Sequence, residues 1–176
     1  MSYEKQLVLK PQDLVLALKI AVNRQRDFIL TDLANELHMA LSAVHGSIRR
    51  GEQARLISRS AGSIRTLAPA LKEFAIHGAK YAFPGVLGAL MKGVPTAIAG
   101  PSLRVHFDSP DSLPPVWPDP EGEAYGPSLI PLHGSVPAAC RHDNNLLDVL
   151  TLLDALRVGA ARERELAANA LAERLG

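Results

Sequence analysis

Hydrophobic positions repeat at helical spacing in the first part of the chain. The first such segment predicts a helix that begins at Pro11, because proline suits the first turn of a helix. The residues of its apolar face are Leu14, Ala17 or Leu18, and Ala21. A short apolar run at residues 28–30 suits a strand. Thr31 follows as an N-cap, so a second helix is predicted over residues 32–37.

The pattern that follows predicts a third helix and a tight turn before it. Core positions repeat through both helices, at Leu33, Leu37, Met39, Val44 and Ile48. Small Ala34 lets the two helices approach closely, and the turn lies at residues 38–40, which is typical of a helix-turn-helix. The third helix spans about residues 41–50. Its outward positions are Ser42, Ala43, His45, Gly46, Arg49 and Arg50.

A β-hairpin is predicted directly after the third helix. Residues 55–60 and 63–67 alternate apolar and polar side chains, which is typical of strands with one buried face. Ala61 and Gly62 separate the two runs as a short turn. The hairpin therefore follows the helix as a wing.

This order of elements over about residues 10–68 resembles the winged helix-turn-helix domain of bacterial transcriptional regulators, most like the MarR type. In that family the second motif helix enters the major groove and the wing touches the DNA backbone or minor groove, so the resemblance implies double-stranded DNA as a partner. The residues placed for contact are Ser42, His45, Arg49, Arg50, Arg55, Ser58, Arg59, Ser63 and Arg65. If about five phosphates are neutralised, log affinity should fall with log salt at a slope of about −4 to −5.

Three positions depart from the family pattern. His38 occupies the turn position commonly held by glycine, and Ala40 stands where a serine or threonine commonly caps the third helix. Gly46 lies mid-helix, at a cost of about 1 kcal/mol relative to alanine. Ala43 and Gly46 also offer no hydrogen bonds to base edges. We therefore predict modest base specificity and strong phosphate contacts.

The middle of the chain is rich in proline. Eleven of the 13 prolines lie between Pro84 and Pro137. The run over residues 110–120 excludes a regular helix or a central strand, because proline lacks an amide donor and fixes φ. A linking helix is predicted over residues 69–80. Large apolar side chains persist beyond it, so we predict a mostly irregular, ordered wrap, with a disordered linker as the alternative.

Two amphipathic helices are predicted from Asn145 onwards. Their apolar residues recur at three- and four-residue steps, at Leu146, Val149, Leu150, Leu153, Leu156, Leu166, Ala170, Leu171 and Leu175. Gly159 divides the two helices. The second helix has a mixed-charge face, opposite a stripe that either packs within the chain or forms a dimer interface. We expect Asp143 to cap a helix, and Asp148 and Asp154 to form pairs on the helix surface.

Charge is unevenly divided although the net charge is only +1. Residues 1–80 carry 12 Lys and Arg against 7 Asp and Glu, whereas residues 81–145 carry 3 against 6. Residues 146–176 carry 4 against 5. A basic first part is expected where only that part meets a polyanion.

The start of the chain and the cysteine count favour the cytoplasm. Residues 1–6 do not begin a secretory signal pattern. The most apolar stretch, residues 81–91, falls short of the roughly 20 residues that a membrane span needs. Cys140 is the single cysteine and has no partner for an internal disulfide. We therefore expect a cytoplasmic protein that does not enter a membrane.

The sequence contains no recognisable catalytic or metal-binding motif. One cysteine and scattered histidines, at His106, His133 and His142, lack the paired spacing of metal ligands. The common nucleotide-binding and hydrolase motifs are also absent. An aromatic group either lines a ligand pocket or belongs to the core: Phe74, His77, Tyr81, Phe83 and Trp117. We expect neither an enzyme nor a cofactor.

These patterns together predict a mainly α protein with a small β-hairpin. It has three parts: a winged helix-turn-helix at residues 1–68, a linking helix and Pro/Gly-rich wrap at 69–143, and a helical pair at 144–176. The resemblance implies a DNA-binding transcriptional regulator, a repressor that occludes its operator as a homodimer. The alternative is a protein-interaction or antitoxin-like subunit whose residues 81–176 bind a partner protein.

Overall fold

The computed structural model describes residues 7–107 and 112–176, so residues 1–6 and part of the proline run lie outside the described residues. The first part forms α1 (Pro11–Val22), α2 (Leu30–Glu36), α3 (Leu41–Gln53), β1 (Ile57–Ser60) and β2 (Ser63–Thr66). The rest forms α4 (Ala68–Glu73), a π-helical turn (Phe74–Gly78), α5 (Ala79–Ala82), β3 (Leu87–Pro95), a 3₁₀ turn (Ala97–Ala99), α6 (Arg104–Phe107), β4 (Val116–Pro118), β5 (Ala124–Leu129), α7 (Val136–Cys140), α8 (Asn144–Val158) and α9 (Ala161–Leu175). The three early helices, the hairpin and the linking helix are confirmed.

The stretch between α1 and α2 forms no strand, so that prediction is wrong. Phe28 is buried as a single anchor, with the Arg26 guanidinium 4.5 Å from its ring centre. α2 begins at Leu30 with Ile29 as its N-cap, and Thr31 lies inside the helix. A strand needs a neighbour for its backbone groups. None pairs with this stretch in the described part of the chain.

α1 is the central helix of the fold. It packs against α3 and β2 and also against α8 and α9. Its residues from Asp13 to Ala21 are buried without interruption, which is more than the single apolar face that the sequence predicts. A helix covered on several sides buries polar residues as well. Asp13 and Lys19 therefore need partners within the protein.

α2 and α3 both end with a non-glycine residue in the left-handed conformation. His38 has φ 50° and donates its amide to Asn35, while the Met39 amide donates to Ala34. The same pair of hydrogen bonds ends α3 at Arg55, which has φ 57°. Glycine is favoured at this position because it has no Cβ. A tight turn between α2 and α3 therefore forms in spite of the histidine.

The hairpin uses a two-residue turn with both residues at positive φ. Ser60 pairs with Ser63, and Ala61 and Gly62 between them have φ 49° and 80°. Turns of this kind match the twist of the strands and favour Asn-Gly. Ile57 and Ile64 are buried, so one face of the hairpin joins the core.

Ala61→Asn is expected to raise the free energy of unfolding by about 0.5–1 kcal/mol, because asparagine tolerates the left-handed conformation better than alanine. Urea denaturation measures the change. Ala54→Asn is the matched control, since Ala54 is exposed with φ −78° and gains nothing from the substitution. Equal effects at the two positions would contradict the prediction.

The middle of the chain is more regular than predicted. β3 pairs antiparallel with β4 through residues 93–95 and with β5 through residues 87–93. β4 and β5 meet in parallel at Val116 and Ser128, so the three strands close into a small barrel. The mostly irregular wrap is therefore corrected. The fold is mixed α/β, not mainly α.

Glycine and proline take positions in the barrel that their chemistry allows. Pro95 is the last residue of β3, where a missing amide donor matters least. A Cβ on Gly93 would lie 1.9 Å from the Trp117 carbonyl oxygen, and one on Gly126 would lie 1.8 Å from that of Pro114. These two glycines let backbone segments cross closely, so they build the barrel instead of breaking it.

The two predicted C-terminal helices are confirmed, with the division at Gly159. Asp143 caps α8, and its Oδ1 accepts a hydrogen bond from the Leu146 amide at 2.9 Å. α8 is buried along most of its length and packs against α9. The buried residues of α9 are Ala167, Leu171 and Leu175. The apolar stripe therefore packs within the chain, which favours that alternative over a dimer interface.

Asp148 and Asp154 are buried, so the prediction that they form pairs on the helix surface is wrong. Asp148 accepts hydrogen bonds from Ser102 and Arg174. Asp154 accepts from Thr96, Trp117 and Arg157. The middle of the chain folds onto α8 and covers both carboxylates. None of the described helices is long and apolar enough to cross a membrane.

Candidate nucleic-acid interface

The outer face of α3 carries a stripe of exposed polar side chains. Ser42, His45 and Arg49 are exposed, as the sequence predicts, and Gln53 continues the stripe by one further helical turn. The opposite side of α3 packs against α1, α2 and β1. Gln53 was not among the predicted residues because the helix was expected to end near Arg50. Its four-residue step from Arg49 is the signal that could have found it.

Arg50 does not belong to this stripe, and its predicted outward orientation is wrong. Its side chain is only 14% exposed and donates two hydrogen bonds of 2.7 Å to the buried carboxylate of Asp13. The hydrogen bonds that Arg50 donates to Asp13 raise the pKa of Arg50. Asp13 also accepts from the Lys10 amide at 2.8 Å. Arg50 therefore fastens α3 to the first turn of α1.

The two hairpin arginines are exposed but already paired. Arg59 donates two hydrogen bonds, of 2.8 and 2.7 Å, to the carboxylate of Glu52, and this pairing raises the pKa of Arg59. Arg65 donates to the Asp27 carboxylate and to the Arg26 carbonyl oxygen. Both arginine side chains are nearly half exposed. These are surface ion pairs, each worth about 0–1 kcal/mol.

The two predicted hairpin serines differ in their surroundings. Ser63 is half-buried and donates from its hydroxyl to Asp27 at 3.1 Å, so it shares a carboxylate with Arg65. Ser58 is half-buried in β1. Neither serine is fully exposed on the surface of the hairpin.

Arg49 and Arg55 are the exposed cations of this region that have no carboxylate partner among the residues described. Arg55 also holds the left-handed conformation where glycine is favoured. A long cationic side chain on a backbone position that costs conformational energy is a candidate for function. Arg49 belongs to the polar stripe, and Arg55 follows two residues after the end of α3.

The other groups considered from the sequence do not form a site. Trp117 is buried in the core, whereas His77 and Tyr81 are exposed, so the five residues do not come together as one group. Burial raises the pKa of the Cys140 thiol to about 12. Within residues 7–107 and 112–176, no three His, Cys, Asp or Glu side chains are grouped as metal ligands.

Three comparisons with known proteins found no match for this chain. No protein-family model fits it, and neither a curated protein nor a solved structure is similar to it. The functional argument therefore rests on the surface of α3 and the hairpin.

Proposed function

We propose that the chain is a DNA-binding transcriptional regulator in which residues 10–68 act as a winged helix-turn-helix. α3 enters the major groove and the β1–β2 hairpin lies over the adjacent backbone. Bound to its operator as a homodimer, the protein represses by excluding other proteins from the site. No cofactor takes part in this mechanism.

The exposed stripe of α3 carries the proposal. α3 has 13 residues, which gives a length of about 20 Å at 1.5 Å per residue, and a single helix fits the major groove. Ser42, His45, Arg49 and Gln53 all present hydrogen-bonding groups to solvent. The stripe itself contains no carboxylate, so it brings no negative charge towards the DNA.

The paired arginines of the hairpin are compatible with DNA binding. A surface ion pair of about 0–1 kcal/mol is readily exchanged for a phosphate, which accepts from a guanidinium in the same way as a carboxylate. Arg49 and Arg55 can bind a phosphate without giving up a carboxylate partner. Arg59 and Arg65 would each leave their carboxylate partner, Glu52 or Asp27, without its cation. Because Arg50 is withdrawn, about four phosphate contacts remain and the expected salt slope is about −3 to −4.

The test is a binding titration of the full chain against the duplex upstream of its own reading frame, followed by fluorescence anisotropy at several salt concentrations. Arg49→Ala with Arg55→Ala is expected to weaken binding at least about tenfold and to reduce the salt slope by about 2, since two phosphate contacts are lost. Arg162→Ala with Arg164→Ala is the matched control, because it removes the same charge from the exposed face of α9.

A second candidate function is a protein-interaction subunit. It is favoured by the carboxylates that already neutralise Arg50, Arg59 and Arg65 within the chain. The same titration separates the two functions. Binding that is absent, independent of salt, or equally reduced by the α9 control would favour the interaction subunit over the regulator.

A further inference from the structure

Exposed apolar side chains concentrate on one part of the small barrel. The segment of residues 81–91 contains no charged residue. Besides Tyr81, the large exposed apolar residues there and on or next to β5 are Val86, Leu87, Leu90, Met91, Tyr125 and Ile130. α9, which the sequence offered as a dimer interface, is instead packed within the chain. The exposed apolar residues of the barrel are therefore a separate candidate for a dimer interface.

β3 also has an open edge along this surface. Gly93 pairs with both Pro118 of β4 and Ala124 of β5, so the two neighbouring strands lie on opposite edges of β3. β5 continues along one edge from Gly93 to Leu87, with a shift in register between Leu87 and Leu90, whereas β4 pairs only with residues 93–95. Beyond an Asp119 amide bond to the Lys92 carbonyl, no described backbone group bonds to the second edge of residues 87–91.

We propose that residues 87–91 form a homodimer interface, in which the open edge of β3 pairs antiparallel with the same edge of a second copy. An unpaired strand edge is a template for another strand, and antiparallel pairing about a two-fold axis makes the edge complementary to itself. With the axis at Ala89, Leu87 lies beside Met91 of the second copy and Leu90 packs over its Gly88. The strand pairing then continues across both protomers.

Area and charge both favour a second copy as the occupant. The six side chains are 44% to 77% exposed. This corresponds to on the order of 650 Å² of side-chain surface, which is divided between the two faces of β3 because successive strand residues point to opposite sides. It approaches the ~800 Å² that each partner contributes to a standard interface. The two-fold axis also places Lys92 opposite residue 86 of the copy, so no like charges meet.

The proposed regulator calls for a dimer, and this inference deepens it by naming the interface. The first test is light scattering after gel filtration of the full chain without DNA, at about 1–100 µM, the range in which a dimer of this area is expected. The wild type is expected to be a dimer. Leu90→Asp with Met91→Asp is expected to weaken dimerisation at least about a hundredfold, because each protomer then brings two carboxylates into an apolar interface that offers them no cation.

Val8→Asp is the control for that variant, because Val8 is an exposed apolar residue outside the barrel and its change should leave the dimer intact. Far-UV circular dichroism checks that each variant is folded. A monomeric wild type, or a dimer unaffected by the double substitution, overturns the inference. So does a wild type that remains monomeric and binds a different protein through this edge.

A cross-link provides a second, independent measurement. Ala89→Cys places two thiols across the axis, at the Cβ separation of about 4.5–5.5 Å found between facing strand residues. Mild oxidation is expected to give a covalent dimer on a non-reducing gel. Cys140 is buried and its pKa is about 12, so its thiol is not expected to take part in the cross-link. Ala160→Cys, on the exposed start of α9, is the control.

Cross-linking of Ala89→Cys no stronger than that of Ala160→Cys overturns the interface. Neither measurement contains DNA, so its outcome is separate from that of the binding titration. A dimer that does not bind DNA overturns the regulator alone, and a DNA-binding monomer overturns the interface alone.

Discussion

Replacement of Lys19 by methionine is expected to lower the free energy of unfolding by about 3–5 kcal/mol, because it removes the cation from a buried group of charges. The Lys19 ammonium is 3% exposed and lies 2.6 Å from a carboxylate oxygen of both Asp143 and Glu36. Asn23 also donates to Asp143 at 3.0 Å. Methionine has a similar length but leaves the Asp143 carboxylate without its counter-charge. Urea denaturation at pH 7 measures the loss.

Lys10→Met is the matched control, because Lys10 is exposed and the described residues offer its side chain no ion pair. Its effect is expected to stay within about 0.5 kcal/mol. Asp143→Asn in the Lys19→Met background is expected to recover part of the loss, since an amide needs no cation and still caps α8. A Lys19→Met protein as stable as the wild type would contradict this explanation.

The effect of Lys19→Met is also expected to depend on pH. Hydrogen bonds from Arg26, helped by Lys19, hold the pKa of Glu36 at about 2. Burial acts to raise the pKa of Asp143, but the Lys19 and Leu146 donors outweigh it and the pKa is lowered. Both carboxylates therefore stabilise the fold above their ordinary pKa of about 4, and this contribution disappears as the pH falls towards 2. The loss should be smaller at pH 3 than at pH 7.

This group of charges joins the proposed DNA-binding unit to the rest of the protein. Lys19 lies on α1, Glu36 on α2, and Asp143 at the start of α8. A change in their charges therefore acts on the orientation of the first motif helix as well as on stability. Arg50 and Asp13 do the same for α3, at its contact with α1. α2 and α3 are thus each held by an ion pair to a buried charge on α1, Lys19 for α2 and Asp13 for α3.

The features that the sequence predicts well depend on neighbours along the chain. The turn at His38, the hairpin turn at Ala61 and the division at Gly159 are each set by a few consecutive residues. The exposed positions Ser42, His45 and Arg49 follow from helical periodicity alone. These predictions therefore hold without knowledge of what packs against them.

The predictions that fail depend on residues far apart in sequence. Arg50 has the spacing of an outward residue, but Asp13 lies 37 positions earlier and draws it inward. The proline-rich segment has no local strand pattern. Its strands form because β3 and β5 pair with each other and because glycines let the backbone segments cross closely. Lys19 falls on an apolar helix, and its burial, which the sequence did not predict, is explained by its ion pairs with Glu36 and Asp143.

Replacement of Asp154 by alanine is expected to cost about 3–5 kcal/mol, because it leaves three buried donors without their acceptor. Asp154 is 2% exposed and accepts hydrogen bonds from Thr96 at 2.8 Å, Trp117 at 2.5 Å and Arg157 at 2.6 Å. Burial raises the pKa of Asp154, and the three donors oppose that shift. Arg157 also donates to the Phe83 carbonyl oxygen at 2.8 Å, just before β3. Asp154 therefore holds the barrel, and with it the open edge of β3, against α8.

Two further variants give smaller expected losses of stability with which the Asp154→Ala loss can be compared. Trp117→Phe removes one donor and is expected to cost about 1–2 kcal/mol, while Glu165→Ala, on the exposed face of α9, should stay within about 0.5 kcal/mol. Trp117 is the single tryptophan, so its fluorescence follows the barrel directly in the Asp154→Ala protein. A red shift at lower urea than in the wild type is expected, together with weaker dimerisation, because the edge loses its support. An unchanged urea midpoint with unchanged Trp117 emission would show that the barrel is held to α8 by apolar packing alone.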